Sequence, residues 1–273
     1  MTYILGARCS DGVVLVGDTK VTIEGGADFA YSKKITRPLA TVVMGSAGIG
    51  GLYKDFQNRM VSTLIQYDKE QEDYPEEERT PLITTEEEFS VIVTRVIRDM
   101  HNNYDEDRHL IINNLMIICG SRIGSVEAQL TTFSPYGFPE PVNKIRAIGH
   151  GEPFGAVFLK QLWNERMNME ETAKLGLFII KFLDETGLDN SVGYNKEFLP
   201  QVFYIPNIAL PEDYNTREWG SEEEYKKAFY DICMQDKFII RELENKEVQR
   251  LINQISPKIS DFVDFFKTGE FKI

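Results

Sequence analysis

The chain opens with two short apolar segments on either side of a turn signal, and this pattern restricts the possible folds more than any other feature. Residues 3–9 are apolar except for Arg8, and residues 13–16 form a continuous apolar run. Asp11-Gly12 lies between them, and Asp-Gly favours a tight hairpin turn. Strands that are apolar at consecutive positions are buried on both faces. The sequence therefore predicts a hairpin inside a layered core.

The later elements are grouped rather than alternating. Strands are predicted over 33–36 and 40–44, followed by two helices, three strands, two more helices and a last strand over 201–205. Such grouping indicates an α+β fold with two helical layers around two stacked sheets. The sequence becomes polar and acidic after Pro206. We therefore expect a main domain over 1–205 and a helical C-terminal extension over 206–273, packed on the core or on a neighbouring subunit.

Charge and composition exclude several classes of partner. The chain has 30 basic and 43 acidic residues, a net charge of −13, and this disfavours binding to nucleic acid or to anionic membranes. It has no apolar run of about 18 residues and no signal-peptide pattern. Its three cysteines are widely spaced, which fits a reducing compartment. No histidine–carboxylate spacing matches a standard metal site. We expect a cytoplasmic protein without a metal or cofactor.

The predicted hairpin brings the start of the chain to an acidic side chain. If Asp11-Gly12 forms the turn, Ser10 pairs with Val13 and the paired residue numbers sum to about 23. Residue 2 then lies opposite residues 19–21. Because a strand rises about 3.3 Å per residue, Asp18 would lie within a few ångströms of Thr2. Lys34 begins the next predicted strand and could neighbour both.

Thr2, Asp18 and Lys34 together suit nucleophilic catalysis. A threonine hydroxyl needs a base to take its proton, and an N-terminal threonine can use its own α-amine. A nearby Lys34 ammonium would favour the neutral, basic form of that amine, and Asp18 would keep Lys34 charged and oriented. Gly45 follows an apolar strand, and its N–H could bind the oxyanion.

Five segments in this register resemble proteasome β-type subunits. The opening run reads TYILGARCSDGVVLVGDTKVT: a threonine, an apolar strand, Asp-Gly-Val-Val-Leu, small residues, then an aspartate, a basic residue and a threonine. The opening is also similar to the bacterial β-like branch called Anbu. The resemblance covers roughly residues 2–205, and the matching segments are 2–22, 32–35, 42–45, 149–154 and 188–193.

This resemblance implies a four-layer αββα sandwich and an N-terminal-nucleophile hydrolase of the threonine peptidase type. Its substrate would be a peptide or unfolded protein, and copies of the chain would assemble into a homo-oligomeric ring. Asp189 would support the amine of Thr2. Six small residues match the specificity pocket of the family and predict a roomy, mostly apolar pocket. They are Val21, Ser32, Thr36, Val43, Ala47 and Gly51.

Two substitutions distinguish this chain from the family pattern. His150 stands where the family has a serine near the nucleophile, and Val192 stands where a serine follows Asp189. His150 is either a structural histidine or a replacement proton partner. The mechanism also requires loss of Met1, because a retained Met1 would acylate the Thr2 amine. Two alternatives stay open: a transpeptidase that uses the same acyl-threonine, and a non-catalytic assembly subunit that retains Met1.

Overall fold

A computed structural model of the chain describes residues 2–22, 29–39, 42–48, 50–72, 86–103, 116–121, 127–207, 220–221, 224, 228 and 240–268. The strands among these residues are β1 Ile4–Cys9, β2 Gly12–Gly17, β3 Lys20–Thr22, β4 Phe29–Tyr31, β5 Ile35–Leu39, β6 Val42–Ala47, β7 Met116–Ser121, β8 Gln129–Phe133, β9 Pro139–Pro141, β10 Ile145–Ile148, β11 Gln201–Pro206 and β12 Arg241–Glu242. The helices are α1 Gly50–Glu72, α2 Glu86–Asn103, α3 Glu152–Leu162, α4 Met169–Thr186 and α5 Asn245–Thr268.

The strands form two five-stranded antiparallel sheets and a short ribbon. The first sheet has the order β10-β1-β2-β11-β12, and the second has the order β5-β6-β7-β8-β9. The ribbon pairs β3 with β4. Strands β1 and β2 therefore lie inside the first sheet, with a neighbour on each side, as their continuous apolar sequence requires.

Alternate residues of the central strands point into different cores. In β2, Val13 and Leu15 pack between the two sheets. Val14 and Val16 face the opposite side, where they share an apolar cluster with α4 and α5. Strand β6 repeats this arrangement in the second sheet, with Val43 between the sheets and Met44 against α1 and α2. The predicted α+β class and four-layer αββα sandwich are confirmed.

The register of the first hairpin differs from the prediction. Cys9 pairs with Gly12 and Ile4 pairs with Gly17, so the paired numbers sum to 21 and the turn consists of Ser10 and Asp11. Gly12 belongs to β2 rather than to the turn. A Cβ atom at Gly12 would lie 2.3 Å from the Ile205 carbonyl oxygen, so glycine is required by the close approach of β11.

The described part of the C-terminal region packs on the first sheet and its helical layer. Strand β12 pairs with β11, and Val248, Leu251 and Ile252 of α5 are buried in the apolar cluster that includes α4. The expected division of the chain at residue 205 stays a prediction. None of the described helices has the length and apolar character needed to cross a membrane.

Candidate active site

A buried ion pair joins the end of β2 to the start of β5. The Lys34 Nζ lies 2.8 Å from both Asp18 Oδ1 and Asp18 Oδ2, and it donates a third hydrogen bond to the Lys20 carbonyl at 2.5 Å. The Asp18 side chain is fully buried and the Lys34 side chain is 7% exposed. The structure thus brings together two residues that the sequence placed in one site.

Backbone hydrogen bonds fix Asp18 beside the start of the chain. The Tyr3 N–H donates to Asp18 Oδ1 at 2.8 Å, and the Asp18 N–H donates to the Tyr3 carbonyl at 3.1 Å. The Gly193 N–H donates to Asp18 Oδ2 at 3.3 Å. Because Tyr3 follows Thr2, the carboxylate that holds Lys34 lies one peptide unit from the predicted nucleophile.

Burial changes the titration of both members of this pair. It lowers the pKa of the Lys34 ammonium, and the charges of Asp18 and Asp189 oppose that change. It also raises the pKa of Asp18, while Lys34 and the Tyr3 and Gly193 N–H groups oppose that shift. The two groups are therefore closer to sharing a proton than they would be in water.

Gln201 anchors Lys34 from the opposite sheet, a role that the sequence analysis missed. Its Oε1 accepts from the Lys34 N–H at 2.7 Å and the Ile35 N–H at 2.8 Å, and its Nε2 donates to the Ile35 carbonyl at 2.9 Å. Gln201 is 5% exposed. Gln201 is a polar residue at the start of an otherwise apolar strand, and a buried amide needs hydrogen-bond partners. This feature of the sequence could have indicated its role.

The loop between β10 and α3 encloses the Thr2 carbonyl. The Gly151 N–H donates to the Thr2 oxygen at 3.3 Å. Gly149 has a φ of +100°, and a Cβ atom there would lie 2.1 Å from the same oxygen. Thr2 is 4% exposed. Met1 lies outside the described residues. The conformation of Thr2 thus depends on two glycines that flank His150.

His150 contacts Asp189, and Asp189 contacts Ser191. The His150 Nδ1 lies 3.0 Å from Asp189 Oδ2. The Ser191 N–H donates to Asp189 Oδ1 at 2.9 Å, and the Ser191 hydroxyl donates to the same oxygen. Val192 is fully buried in the apolar cluster on the helical side of the first sheet. Asp189 thus receives a hydroxyl hydrogen bond from Ser191, the residue before Val192, a contact that the sequence did not predict.

These hydrogen bonds determine the charge of Asp189. Burial alone would raise its pKa, but hydrogen bonds from Ser191 and His150 bring it below the ordinary value. Asp189 is therefore an anion near neutral pH, and its charge favours the ammonium form of Lys34. This interaction links the His150 cluster to the Asp18–Lys34 pair.

Gly45 does not end a strand as predicted, because β6 continues to Ala47. The Ser46 N–H donates to the Lys34 carbonyl, so by alternation the Gly45 N–H faces β7, where Gly45 is opposite Ile118. The Ala47 Cβ lies 3.3 Å from the position that a Cβ on Gly149 would take, and that position is 2.1 Å from the Thr2 carbonyl oxygen. The end of β6 at Ala47 therefore lies beside the Gly149–Thr2 contact.

The predicted pocket residues are spread over several elements. Val21 lies in β3 and Ser32 follows β4, where its N–H donates to the Thr19 carbonyl at 2.8 Å. Thr36 lines a cavity of about 280 Å³ and accepts a hydrogen bond from Gln57. Gly51 lies in the first turn of α1. Val43 is fully buried between the sheets, so a substrate contact there has no structural support.

Comparison with known proteins agrees with this architecture. Residues 2–196 match the family described as Proteasome subunit. The structure is similar to the Anbu (Gly-1) mutant from Hyphomicrobium sp. strain MC1, with a TM-score of 0.63, 19% identity and 100% coverage of both chains. It is also similar to Anbu from the same strain, with a TM-score of 0.61, 19% identity, and coverage of 99% of this chain and 100% of the other. No curated protein sequence matches the chain. The family match spans well over half of the sequence, and the chain therefore belongs to the proteasome subunit family.

Proposed function

We propose that the chain is a threonine-type peptidase, a proteasome-like N-terminal-nucleophile hydrolase that uses Thr2 after removal of Met1. The observation that carries this proposal is the buried Asp18–Lys34 pair beside the Tyr3 amide. A buried ion pair of this kind costs desolvation energy and is a weak source of stability. Its position at the first residues of the chain has a direct use in activating an N-terminal nucleophile.

In the proposed acylation step, the free amine of Thr2 takes the proton from its own hydroxyl. The Oγ atom then attacks the carbonyl carbon of the substrate, and the peptide C–N bond breaks as the amine returns the proton to the leaving nitrogen. The Lys34 ammonium favours the neutral amine before attack and stabilises the developing negative charge on Oγ. Asp18 and Asp189 in turn favour the charged form of Lys34.

The oxyanion donor in this mechanism is the Gly48 N–H rather than the predicted Gly45 N–H. Two observations support this assignment. The Gly45 N–H is directed to β7, whereas Gly48 follows the last residue of β6 and lies beyond the last β5 partner. Gly48 also follows Ala47, the residue of β6 that approaches the Thr2–Gly149 contact. Backbone N–H groups fixed in this way stabilise an oxyanion without reorganisation.

The substrate and assembly follow from the family. We propose a peptide or unfolded protein as substrate and a homo-oligomeric ring as the working form. Transfer of the acyl group to an amine instead of water would make the same site a transpeptidase. Mass analysis of the products separates the two reactions, because only transfer yields a peptide longer than the acyl fragment.

Peptide cleavage by variants of Thr2 tests the proposal. Thr2→Val replaces the hydroxyl with a methyl group of similar size, and both residues at position 2 permit removal of Met1. We expect Thr2→Val to lose cleavage of fluorogenic peptides and Thr2→Ser to retain it, because serine keeps the hydroxyl. Equal thermal stability of the variants would show that the fold is intact. Cleavage by Thr2→Val at the wild-type rate would exclude Thr2 as the nucleophile.

A further inference from the structure

The His150 side chain is far more exposed than the described residues that surround Thr2. Thr2, Lys34, Asp189 and Ser191 are each less than 10% exposed, whereas the His150 side chain is 60% exposed. Water therefore has direct access to the His150 side chain.

The orientation of the His150 ring is fixed from its buried edge. Asp189 directs Oδ2 toward His150 Nδ1 at 3.0 Å, while both the N–H and the hydroxyl of Ser191 hold Oδ1. An ionised carboxylate can only accept hydrogen bonds, so Nδ1 carries the proton. In the neutral ring, Nε2 is then the basic nitrogen, and it lies on the edge turned away from Asp189.

The backbone on either side of His150 is held against Thr2. Gly149 and Gly151, the residues on either side of His150, both contact the Thr2 carbonyl. His150 is thus joined through both of its neighbours to the residue that carries the nucleophile. A histidine that is oriented by a carboxylate and exposed to water next to a nucleophile has the properties of a general base.

We infer that His150, held by Asp189 and Ser191, is the base that activates water for hydrolysis of the acyl-threonine. This inference rests on the proposed function. The Thr2 amine is the base for acylation, and His150 is the base for hydrolysis of the acyl-threonine. Nε2 takes a proton from water as the water oxygen bonds to the ester carbon. The ester C–Oγ bond then breaks, and the imidazolium returns the proton to Thr2 Oγ. The products are a carboxylic acid and free Thr2, with His150 neutral again. Asp189 and Ser191 are positioning residues.

Pre-steady-state kinetics with an N-acetylated dipeptide 4-nitrophenyl ester separate the two steps. Nitrophenol release reports acylation, and intact mass after acid quenching reports the acyl-enzyme. We expect His150→Gln to acylate at the wild-type rate, then to accumulate one acyl group per Thr2 and turn over roughly 10²-fold more slowly. Glutamine retains a hydrogen-bond donor for Asp189 but cannot act as a base. Added imidazole should restore turnover in this variant.

Ser191→Ala tests the positioning role. This variant should also accumulate acyl-enzyme, because hydrolysis of the acyl group should slow more than acylation does. Ser256→Ala is the matched control, because its hydroxyl donates to the Ile252 carbonyl within α5, away from the site. Ser256→Ala should match the wild type in both steps.

Two results would overturn the inference while sparing the proposed function. One is wild-type turnover in His150→Gln, and the other is an equal loss of acylation and turnover, which would place His150 in the first step. If the wild-type protein releases no more nitrophenol than Thr2→Val, the proposed function fails and the inference fails with it.

Discussion

The surroundings of a single atom, the Lys34 Nζ, explain much of the site. Its described hydrogen bonds include two to Asp18 and one to the Lys20 carbonyl. All three partners are acceptors, as an ammonium group requires. These contacts and the charge of Asp189 favour the ammonium form of Lys34, which burial opposes.

Replacement of Lys34 should lower both the rate of peptide cleavage and the stability of the fold. Lys34→Ala should lower peptide cleavage by roughly 10²- to 10⁴-fold, because the Thr2 amine and Oγ lose their electrostatic support. It should also lower the free energy of unfolding by about 3 kcal/mol, because the Asp18 carboxylate stays buried without its cation. Chemical denaturation and fluorogenic peptide assays measure the two effects.

The neighbouring lysine is the matched control for this prediction. The Lys33 side chain is 67% exposed and pairs with Glu242 at the surface, so Lys33→Ala should change stability and activity little. A double variant, Asp18→Asn with Lys34→Ala, should recover stability without activity. Equal loss of activity in the two lysine variants would contradict the assigned role of Lys34.

The lowered pKa of Asp189 predicts how the stability of the fold changes in acid. Its pKa is below the ordinary value of 3.8, because hydrogen bonds from Ser191 and His150 outweigh the effect of burial. The lowered folded-state pKa stabilises the protein above the unfolded value, and this contribution is lost as pH falls through the folded value. The difference in unfolding free energy between wild type and Asp189→Asn should therefore shrink as pH falls below about 4. A difference that grows in acid would contradict this assignment.

At the scale of elements, the loop between β10 and α3 controls the position of Thr2. The sequence analysis placed this loop near the nucleophile through the family resemblance alone. It did not show that Gly149 approaches the Thr2 carbonyl, since such a contact has no periodic signal. The hairpin was predicted correctly, but its predicted register was wrong, because the need for glycine at position 12 arises from β11, almost 200 residues later.

Two glycine substitutions test the control of Thr2 by this loop. Gly149→Ala should abolish cleavage, because its Cβ would lie 2.1 Å from the Thr2 oxygen and displace it. Gly137 also has a positive φ, +82°, but contacts Ile97 and Thr94 instead. Both variants should lose about 1–3 kcal/mol of stability from backbone strain, whereas only Gly149→Ala should lose activity. Full activity in Gly149→Ala would contradict the proposed position of Thr2.

Helix α5 is predicted to stabilise the domain through its buried face. Leu251 is 1% exposed within the apolar cluster that includes α4, so Leu251→Ala should lower the free energy of unfolding by about 2–5 kcal/mol. Gln249 on the exposed face is the control, and Gln249→Ala should change it by less than about 0.5 kcal/mol. Denaturant titration measures both. A negligible effect of Leu251→Ala would show that α5 is dispensable for the fold.

At the scale of the whole molecule, the sequence predicted the layers better than the contacts between them. Continuous apolar strands and amphipathic helices indicate a four-layer sandwich, because periodicity reports which faces are buried. It does not report which distant residues meet. The Gln201–Lys34 and Ser191–Asp189 contacts were therefore missed, and Gly45 was placed at the end of a strand that continues to Ala47. The Asp18–Lys34 pair was predicted because both residues adjoin strands in the register of the family.

The central claim is that Thr2 acts through a free α-amine, and the chemistry of the chain terminus tests it most directly. Periodate cleaves the bond between the amine- and hydroxyl-bearing carbons of an N-terminal threonine only when its amine is free. Intact mass should show active protein without Met1, and periodate should convert Thr2 and abolish cleavage in the same proportion of molecules. Full cleavage by protein that retains Met1 and resists periodate would contradict the claim.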